Sequence, residues 1–157
     1  MVCVDILQKA LDKLVIYSKE HKAESAISTQ RADIGDYSFD EAEYDYIVAA
    51  SSLEHVKSES VLREVLDDMV NGTKALGINL IYMNTNIEEI TISSEEERQP
   101  LFEILISKDD MLAMLREAYQ GWEELLVDDQ PLELKIDRDN KPVMLKADHL
   151  VFAARKS

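Results

Sequence analysis

The chain has 157 residues, of which 46% are hydrophobic and 31% charged, a length and composition typical of one globular domain with its own core. Its net charge of -15 argues against nucleic acids and anionic membrane surfaces as partners, because both are bound by clusters of Lys and Arg. One cysteine, no membrane-spanning apolar stretch and no basic signal-peptide start predict a cytoplasmic protein without an internal disulfide.

The N-terminal segment predicts a strand followed by a helix. Met1–Ile6 is a short apolar run, and the apolar residues of Leu7–His21 recur at the spacing of one helix face. Asp5 lies where the strand gives way to the helix. In dinucleotide-binding folds an acid at this point binds ribose hydroxyls, whereas a helix N-cap or first-turn acid is the commoner role.

A second short strand is predicted over Ala26–Gln30, followed by a polar loop over Arg31–Glu43. Asp33 follows this strand, between Ala32 and Ile34. An acid there is able to accept a hydrogen bond from an adenine amino group while the isoleucine packs on the ring. The alternative is a solvated acid in a turn.

The stretch Tyr44–Ala50 predicts the central strand, since a short apolar run between polar boundaries is typical of a strand buried on both faces of a parallel sheet. Ser51 and Glu54 have the spacing of a capping box, which predicts a helical turn directly after the strand. Ser51 would then lie at the carboxyl edge of the sheet, where ligands bind in open α/β folds. His55 follows as a candidate base or orienting group, with surface or core packing as the alternative.

The middle of the chain predicts a helix, a strand and a loop. The helix covers Ser58–Asn71, with Gly72 where a left-handed cap is expected, and the strand covers Gly77–Met83. The polar and acidic segment Asn84–Pro100 predicts a loop, and residues 86–106 a lid or insertion within the domain.

The last third predicts one helix and an antiparallel end. Ser107 and Asp110 have capping-box spacing and open a helix to about Tyr119, which stops at Gly121. The turn Asp137–Asn140 between apolar runs predicts a hairpin. Four short strands are expected here: Trp122–Val127, Leu132–Ile136, Pro142–Lys146 and His149–Ala154.

Alternating strands and helices predict a single α/β domain over residues 1–157, with a mostly parallel sheet and antiparallel strands at one edge. The three histidines and the one cysteine lack metal-ligand spacing, so we expect no metal site. The sequence contains no P-loop and no G-x-S-x-G nucleophile motif.

In their order, these motifs resemble class I S-adenosylmethionine-dependent methyltransferases. VCVDI and its helix look like the family's second strand, whose terminal acid holds the ribose. Ala32-Asp33-Ile34 looks like its adenine-edge motif, and EYDYIVAASSLEHV like its fourth-strand motif. The resemblance implies a Rossmann-like sheet and S-adenosylmethionine as cofactor. The implied cofactor-binding residues are Asp5, Ile6, Ala32, Asp33, Ile34 and Ser51, and the implied catalytic residue on the acceptor side is His55.

The C-terminal region resembles the tellurite-resistance (TehB-type) subfamily more specifically. The shared features are a Gly-Trp-Glu step at Gly121–Glu123, a turn of Asp and Asn residues, and a final Ala-Arg-Lys at Ala154–Lys156. The resemblance implies methyl transfer to a small-molecule acceptor.

The start of the sequence departs from the family. The family's first strand and its Gly-rich loop precede the ribose acid by about 20 residues, and the glycines at positions 35, 72, 77 and 121 form no such motif. The chain is thus expected to be either truncated or a half-fold that binds the cofactor weakly. The two strands that flank the family's first strand, Met1–Ile6 and Tyr44–Ala50, would keep unpaired edges, which predicts a homo-oligomer formed through the N-terminal half.

Two other functional classes fit parts of the pattern. A non-catalytic interaction or scaffold protein could keep a remnant of the methyltransferase fold. A flavodoxin-like nucleotide binder is disfavoured, because no phosphate-cradling loop follows any predicted strand.

Overall fold

The computed structural model describes all 157 residues, and strands and helices occur in both halves of the chain, which confirms the α/β class. The chain divides into two compact units, Met1–Ser38 and Phe39–Ser157. The strands form two sheets, one of two strands and one of five. The assignment of the whole chain to a single domain stays a prediction.

The N-terminal unit is one β-α-β unit, as the sequence predicts. Strands β1 (Val2–Asp5) and β2 (Ser28–Arg31) pair in parallel, with Val2 opposite Ser28 and Asp5 opposite Arg31. Helix α1 (Gln8–Glu20) connects them and buries Leu11. Because the strands are parallel and in register, their carboxyl ends meet at the same edge of the small sheet.

The C-terminal unit contains five strands and two further α-helices. The strand order is β3-β4-β7-β6, with the short β5 added along β4. The strands are β3 (Tyr44–Ala50), β4 (Thr73–Thr91), β5 (Glu96–Arg98), β6 (Glu123–Arg138) and β7 (Lys141–Arg155), and the helices are α2 (Glu59–Gly72) and α3 (Lys108–Ala118).

The sheet of the C-terminal unit mixes parallel and antiparallel pairs. β3 is parallel to β4, whereas β7 lies antiparallel between β4 and β6. The hairpin prediction is confirmed, since Asp139 and Asn140 form a two-residue loop with φ of 53° and 61°. Two successive positive φ angles are typical of a type I′ turn, whose twist matches that of the paired strands.

The core of the C-terminal unit lies on one face of its sheet. β3 contributes Ile47 and Ala49, while Tyr46 and Val48 are 53% and 47% exposed. The expectation that this strand is buried on both faces was therefore wrong, because only alternate side chains of β3 reach a core. The largest fully buried apolar side chains are Leu53, Leu62, Leu66, Met69, Ile81, Met83, Met111, Leu115, Leu150 and Phe152.

The predicted capping box after β3 is corrected by the structure. Ser51 adopts a left-handed conformation with φ of 47°, and the residue that caps the following 3₁₀ turn, Leu53–His55, is Ser52, whose side chain makes no capping bond. Glu54 does not bond back to the backbone N–H of Ser51, which donates to the carbonyl of Tyr82, and its buried carboxylate is bonded to Asn84.

The segment predicted as a polar loop is largely strand. β4 continues to Thr91, and β5 pairs with it antiparallel. Side chains at alternate positions of β4 remain buried as far as Glu89, and β7 pairs with β4 from Ile78 to Thr91 across one register shift. In the same way the four predicted C-terminal strands merge into two. A lid role for residues 86–106 stays a prediction.

Gly72 does not provide a left-handed helix cap. It is the last residue of α2, and Gly121 is the glycine with positive φ, at 85°. A Cβ atom at Gly72 would lie 2.9 Å from Cβ of Phe39. The position therefore requires a glycine for close approach of the chain and not for its backbone conformation.

Helices α2 and α3 begin at serine caps. Ser58 Oγ accepts a hydrogen bond from the backbone N–H of Val61 at 3.3 Å, and Ser107 Oγ accepts one from that of Asp110 at 3.1 Å, which confirms the second predicted cap. None of the helices, of which the longest spans 14 residues, is long and apolar enough to cross a membrane.

We expect Ser107→Ala to lower the free energy of unfolding by about 1 kcal/mol, because the N–H of Asp110 loses its partner. Urea denaturation followed by circular dichroism measures the change. Ser38→Ala, at an exposed position, is the matched control, with an expected change within about 0.5 kcal/mol. Equal stability of the Ser107 variant and the unmodified chain would contradict the assignment of this cap.

Candidate functional site

The two predicted cofactor acids lie at the carboxyl edge of the β1–β2 sheet. Asp5 ends β1, and the carbonyl of Asp5 accepts a hydrogen bond from the backbone N–H of Ala32 at 3.2 Å, directly after β2. Asp33 follows. The structure therefore brings Asp5, Ala32 and Asp33 together at one edge of the N-terminal unit, and their role in binding a cofactor stays a prediction.

One of the two carboxylate oxygens of Asp5 already accepts a hydrogen bond at the start of α1. Its Oδ1 accepts a hydrogen bond from the backbone N–H of Leu7, the capping residue of α1, at 2.7 Å. Its Oδ2 remains as the oxygen with which a ligand hydroxyl could bond. Ile6 is 54% exposed, and its carbonyl accepts a hydrogen bond from Arg31 Nε at 3.1 Å.

Asp33 is the N-cap of a 3₁₀ turn over Ile34–Asp36, and its Oδ1 accepts a hydrogen bond from the backbone N–H of Gly35 at 2.9 Å. A role in a turn was the alternative to adenine binding that the sequence left open. The second carboxylate oxygen of Asp33 remains for a ligand. Ile34 is half-buried beside it. A carboxylate oxygen next to an apolar side chain suits a flat ring that carries an amino group.

Ser51 lies at the carboxyl end of β3, on the C-terminal unit. Its side chain is exposed, and its backbone N–H donates to the carbonyl of Tyr82 on β4 at 2.9 Å. The left-handed conformation of Ser51 directs the chain away from the strand and into the turn that carries Glu54 and His55.

His55 forms an ion-pair geometry with Glu103. Its Nδ1 lies 2.9 Å from Oε2 of Glu103, and both side chains are about half exposed, at 50% and 53%. The imidazole also stacks on Phe102, with ring centroids 5.2 Å apart. The hydrogen bond from His55 lowers the pKa of the Glu103 carboxyl. A histidine oriented by a carboxylate through Nδ1 presents Nε2 to a ligand.

A second group of polar residues, which the sequence interpretation did not combine, lies next to this pair. Glu54 is fully buried, and its Oε1 accepts a hydrogen bond from Asn84 Nδ2 at 2.9 Å. Asn84 Oδ1 lies 3.1 Å from Nδ1 of His149. The available sequence signal was a glutamate between the apolar residues Leu53 and Val56, where a solvated acid is not expected.

No group of three or more His, Cys, Asp or Glu side chains is arranged to hold a metal ion. A cleft of about 320 Å³ is lined by residues of α2, α3 and the segment before α3, among them Arg63, Ser107 and Glu117. It includes none of the predicted cofactor or catalytic residues.

The fold is that of Rossmann-like methyltransferases, as comparison with solved structures shows. TehB from Haemophilus influenzae superposes with a TM-score of 0.73 at 22% identity, over 99% of this chain and 49% of that one. YcgJ from Bacillus subtilis gives a TM-score of 0.67 at 11% identity, over 99% and 81% of the two chains. NodS, an N-methyltransferase from Bradyrhizobium japonicum in complex with S-adenosyl-L-homocysteine, gives 0.59 at 16% identity, over 99% and 65%.

The chain belongs to the tellurite resistance protein TehB family, whose sequence profile matches residues 4–147. This confirms the resemblance that the motifs predicted. A search of curated protein sequences gives no significant match. The chain spans about half the length of the H. influenzae TehB structure.

Proposed function

We propose that this chain acts in S-adenosylmethionine-dependent methyl transfer to a small-molecule acceptor. The observation that carries the proposal is the pair of acids, Asp5 and Asp33, at the carboxyl edge of β1 and β2 in a chain of the TehB family. The S-adenosyl-L-homocysteine complex of NodS supports the same cofactor class. The charge of -15 and the single cysteine support a cytoplasmic protein that binds neither nucleic acids nor membranes.

The residues present fit the nucleoside part of the cofactor. Asp5 Oδ2 would accept from a ribose hydroxyl, and Asp33 would accept from the adenine amino group while Ala32 and Ile34 contact the ring. Ser51, which lies on the C-terminal unit, stays a predicted cofactor-binding residue. When bound, the cofactor supplies a methyl group on a sulfonium ion, and an acidic chain is suited to that positive charge.

We place His55 on the acceptor side, held by Glu103 and stacked on Phe102. Its Nε2 would orient the acceptor by a hydrogen bond, and much of the rate of a group transfer derives from such positioning. Loss of this side chain should therefore raise KM more than it lowers kcat.

We expect the 157-residue polypeptide to bind S-adenosylmethionine weakly, because it contains no Gly-rich loop to approach the ligand closely. Isothermal titration calorimetry measures the affinity. Asp5→Ala should weaken binding further by about 1.5–3 kcal/mol, since a hydrogen bond to a charged group is lost. Asp12→Ala is the matched control, because Asp12 is exposed on α1 and bonds only Gln8.

Micromolar affinity of the unmodified polypeptide would contradict the expected weakness. If Asp5→Ala and Asp12→Ala bind equally well, Asp5 is not a cofactor residue. Formation of S-adenosyl-L-homocysteine on addition of tellurite, a thiol or an amine tests the reaction itself. A polypeptide that binds the cofactor but methylates none of these acceptors would remove the catalytic proposal.

A scaffold or interaction protein is the second candidate, and the exposed side of β3 favours it. Tyr46 and Val48 are 53% and 47% exposed on this side, and β3 pairs with β4 alone. An unpaired strand edge with apolar side chains is a surface to which another chain can add. The occupant we propose is a second copy of this chain.

Self-association through β3 gives an expected result in solution. We expect the polypeptide to be a dimer or larger oligomer by light scattering after size exclusion, and Val48→Glu to make it smaller, because the added charge opposes burial of this face. Leu134→Glu, at a residue of β6 that is 45% exposed, is the matched control and should not change the mass. A monodisperse monomer at tens of micromolar, roughly where modest interfaces already form, would rule out the interface.

A further inference from the structure

Glu54, Asn84 and His149 form a hydrogen-bonded chain of three side chains at the carboxyl end of β3. Glu54 lies in the turn after that strand. Asn84 lies on β4, two residues beyond Tyr82, which pairs with the last residue of β3. His149 is directly opposite Asn84 on β7. The register of three strands thus places these side chains side by side.

The donor and the acceptor of each hydrogen bond among these three side chains follow from the carboxylate of Glu54. The Oε1 atom of Glu54 accepts from the side-chain amide of Asn84 at 2.9 Å, and from its backbone N–H at 3.4 Å. Since Nδ2 of Asn84 is the donor to Glu54, the atom that faces His149 is Oδ1, at 3.1 Å from Nδ1. An amide oxygen only accepts. Nδ1 of His149 must therefore carry the proton.

The consequence is a fixed tautomer. A neutral imidazole with its proton on Nδ1 has its lone pair on Nε2, and which nitrogen is protonated is set by the hydrogen bond at the other. Glu54 holds the arrangement in place because it is fully buried. Its Oε2 has no partner among the side chains and backbone groups around it. The ring of His149 is further held against Tyr82, with centroids 6.0 Å apart and planes at 16°.

His149 and Tyr82 are each half-buried, so the imidazole is both held in place and accessible. The side chain of His55, in contrast, is half exposed and its orienting partner Glu103 equally so. A group oriented through a buried carboxylate is screened less by water than an exposed pair. His149 is therefore the histidine of this chain whose ring is held in one orientation by side chains linked to a buried carboxylate.

We propose that Glu54 and Asn84 are positioning residues that hold His149 as the proton acceptor for a methyl acceptor carrying an O–H, S–H or N–H group. This role rests on the proposed methyltransferase function. The transfer forms a bond between the methyl carbon and the acceptor heteroatom and breaks the carbon–sulfur bond, whose electron pair stays on sulfur. The proton released by the acceptor moves to Nε2 of His149.

The tautomer is measured without any activity. In long-range ¹H–¹⁵N spectra of the neutral 157-residue polypeptide, the His149 ring should show a protonated Nδ1 and an unprotonated Nε2. Only His21 and His55 share this spectral region, and His149→Gln identifies the signal. Asn84→Ala should shift His149 towards the Nε2–H tautomer and leave His55 unchanged, whereas Glu103→Gln should act on His55 alone.

The spectrum of the unmodified polypeptide tests the predicted tautomer of His149 even if Asn84→Ala fails to fold. A predominantly Nε2-protonated His149 in the unmodified polypeptide would overturn the proposal. So would a folded Asn84→Ala variant, verified by circular dichroism, in which the His149 tautomer is unchanged.

The proton-acceptor role is tested by methyl transfer to the acceptor that the assay identifies. We expect His149→Gln to lower kcat about 10²–10⁴-fold with little change in KM, and Asn84→Ala to lower kcat by about tenfold or more. His21→Gln, at an exposed position after α1, is the matched control and should keep full activity.

Full activity of His149→Gln overturns the role but leaves the proposed function standing. An acceptor without a transferable proton also overturns it, and a chain without methyl transfer removes both the role and the function.

Discussion

Phe152→Ala is expected to lower the free energy of unfolding by about 3–5 kcal/mol. Phe152 is 1% exposed and lies on β7, in the interior of the sheet between β4 and β6. Its ring packs against Tyr119 at the end of α3, with centroids 5.4 Å apart. Truncation to alanine leaves a cavity between the sheet and the end of α3. The surrounding side chains cannot fill this cavity unless the sheet or the helix moves.

Chemical denaturation with urea measures this change, with the slope of the transition checked for a common unfolded state. Leu134→Ala is the matched control, because Leu134 lies on β6 and is 45% exposed; its expected cost is below about 1 kcal/mol. Similar losses for both variants would show that β7 is not the centre of the packed core.

Arg138→Ala is expected to cost about 3 kcal/mol, which is the usual loss when one partner of a buried ion pair is removed. Glu89 is 1% exposed near the C-terminal end of β4, and Arg138 at the end of β6 donates to its carboxylate from Nη2 at 2.9 Å and from Nε at 3.1 Å. Arg98 is the second cation, with Nε at 3.5 Å. Without Arg138 the buried carboxylate keeps only this longer contact.

The same denaturation experiment tests the ion pair against Arg116→Ala. Arg116 bonds Glu124 at 3.0 Å, but both side chains are well exposed, so its removal should cost at most about 1 kcal/mol. Equal stability of the two arginine variants would show that the ion pair with Glu89 contributes no more than an exposed one.

Local sequence patterns predicted most of the regular elements. β3 was predicted at its observed bounds, Tyr44–Ala50, because a polar residue ends the apolar run on each side. The cap at Ser107 and the turn before Lys141 were predicted because both depend on residues three or four positions apart. Elements of this kind contain their own boundary signals.

The second half of β4 was not predictable in this way. Glu89 and Asn84 read as loop residues because polar side chains rarely line a buried strand face. They are acceptable there because Arg138 and His149, at distances of 49 and 65 residues along the chain, satisfy them. Such partners become visible only when the register of β4, β7 and β6 is known.

The residues of the candidate site likewise divide into those that local sequence patterns place and those that only the folded sheet brings together. Asp5, Asp33, Ser51 and His55 follow predicted strands, so the sequence placed each at a carboxyl edge. The link from Glu54 through Asn84 to His149 joins the turn after β3 to two strands, β4 and β7, that are distant in the sequence, and no local pattern predicts it. Residues at a strand end are thus easier to place from sequence than residues that orient one another across a sheet.

The interior position of β7 also bears on how this protein reaches its native state. β7 follows both of its neighbours, β4 and β6, in the sequence, and Ile78 on β4 pairs with Arg155 at the far end of β7. The main sheet therefore closes by contacts between distant parts of the chain, which makes folding slow. Until β7 inserts, the 19 residues of β4 carry an open edge of alternating apolar side chains. During this interval a strand from another molecule competes for the same edge, so the yield of refolding should fall as the protein concentration rises.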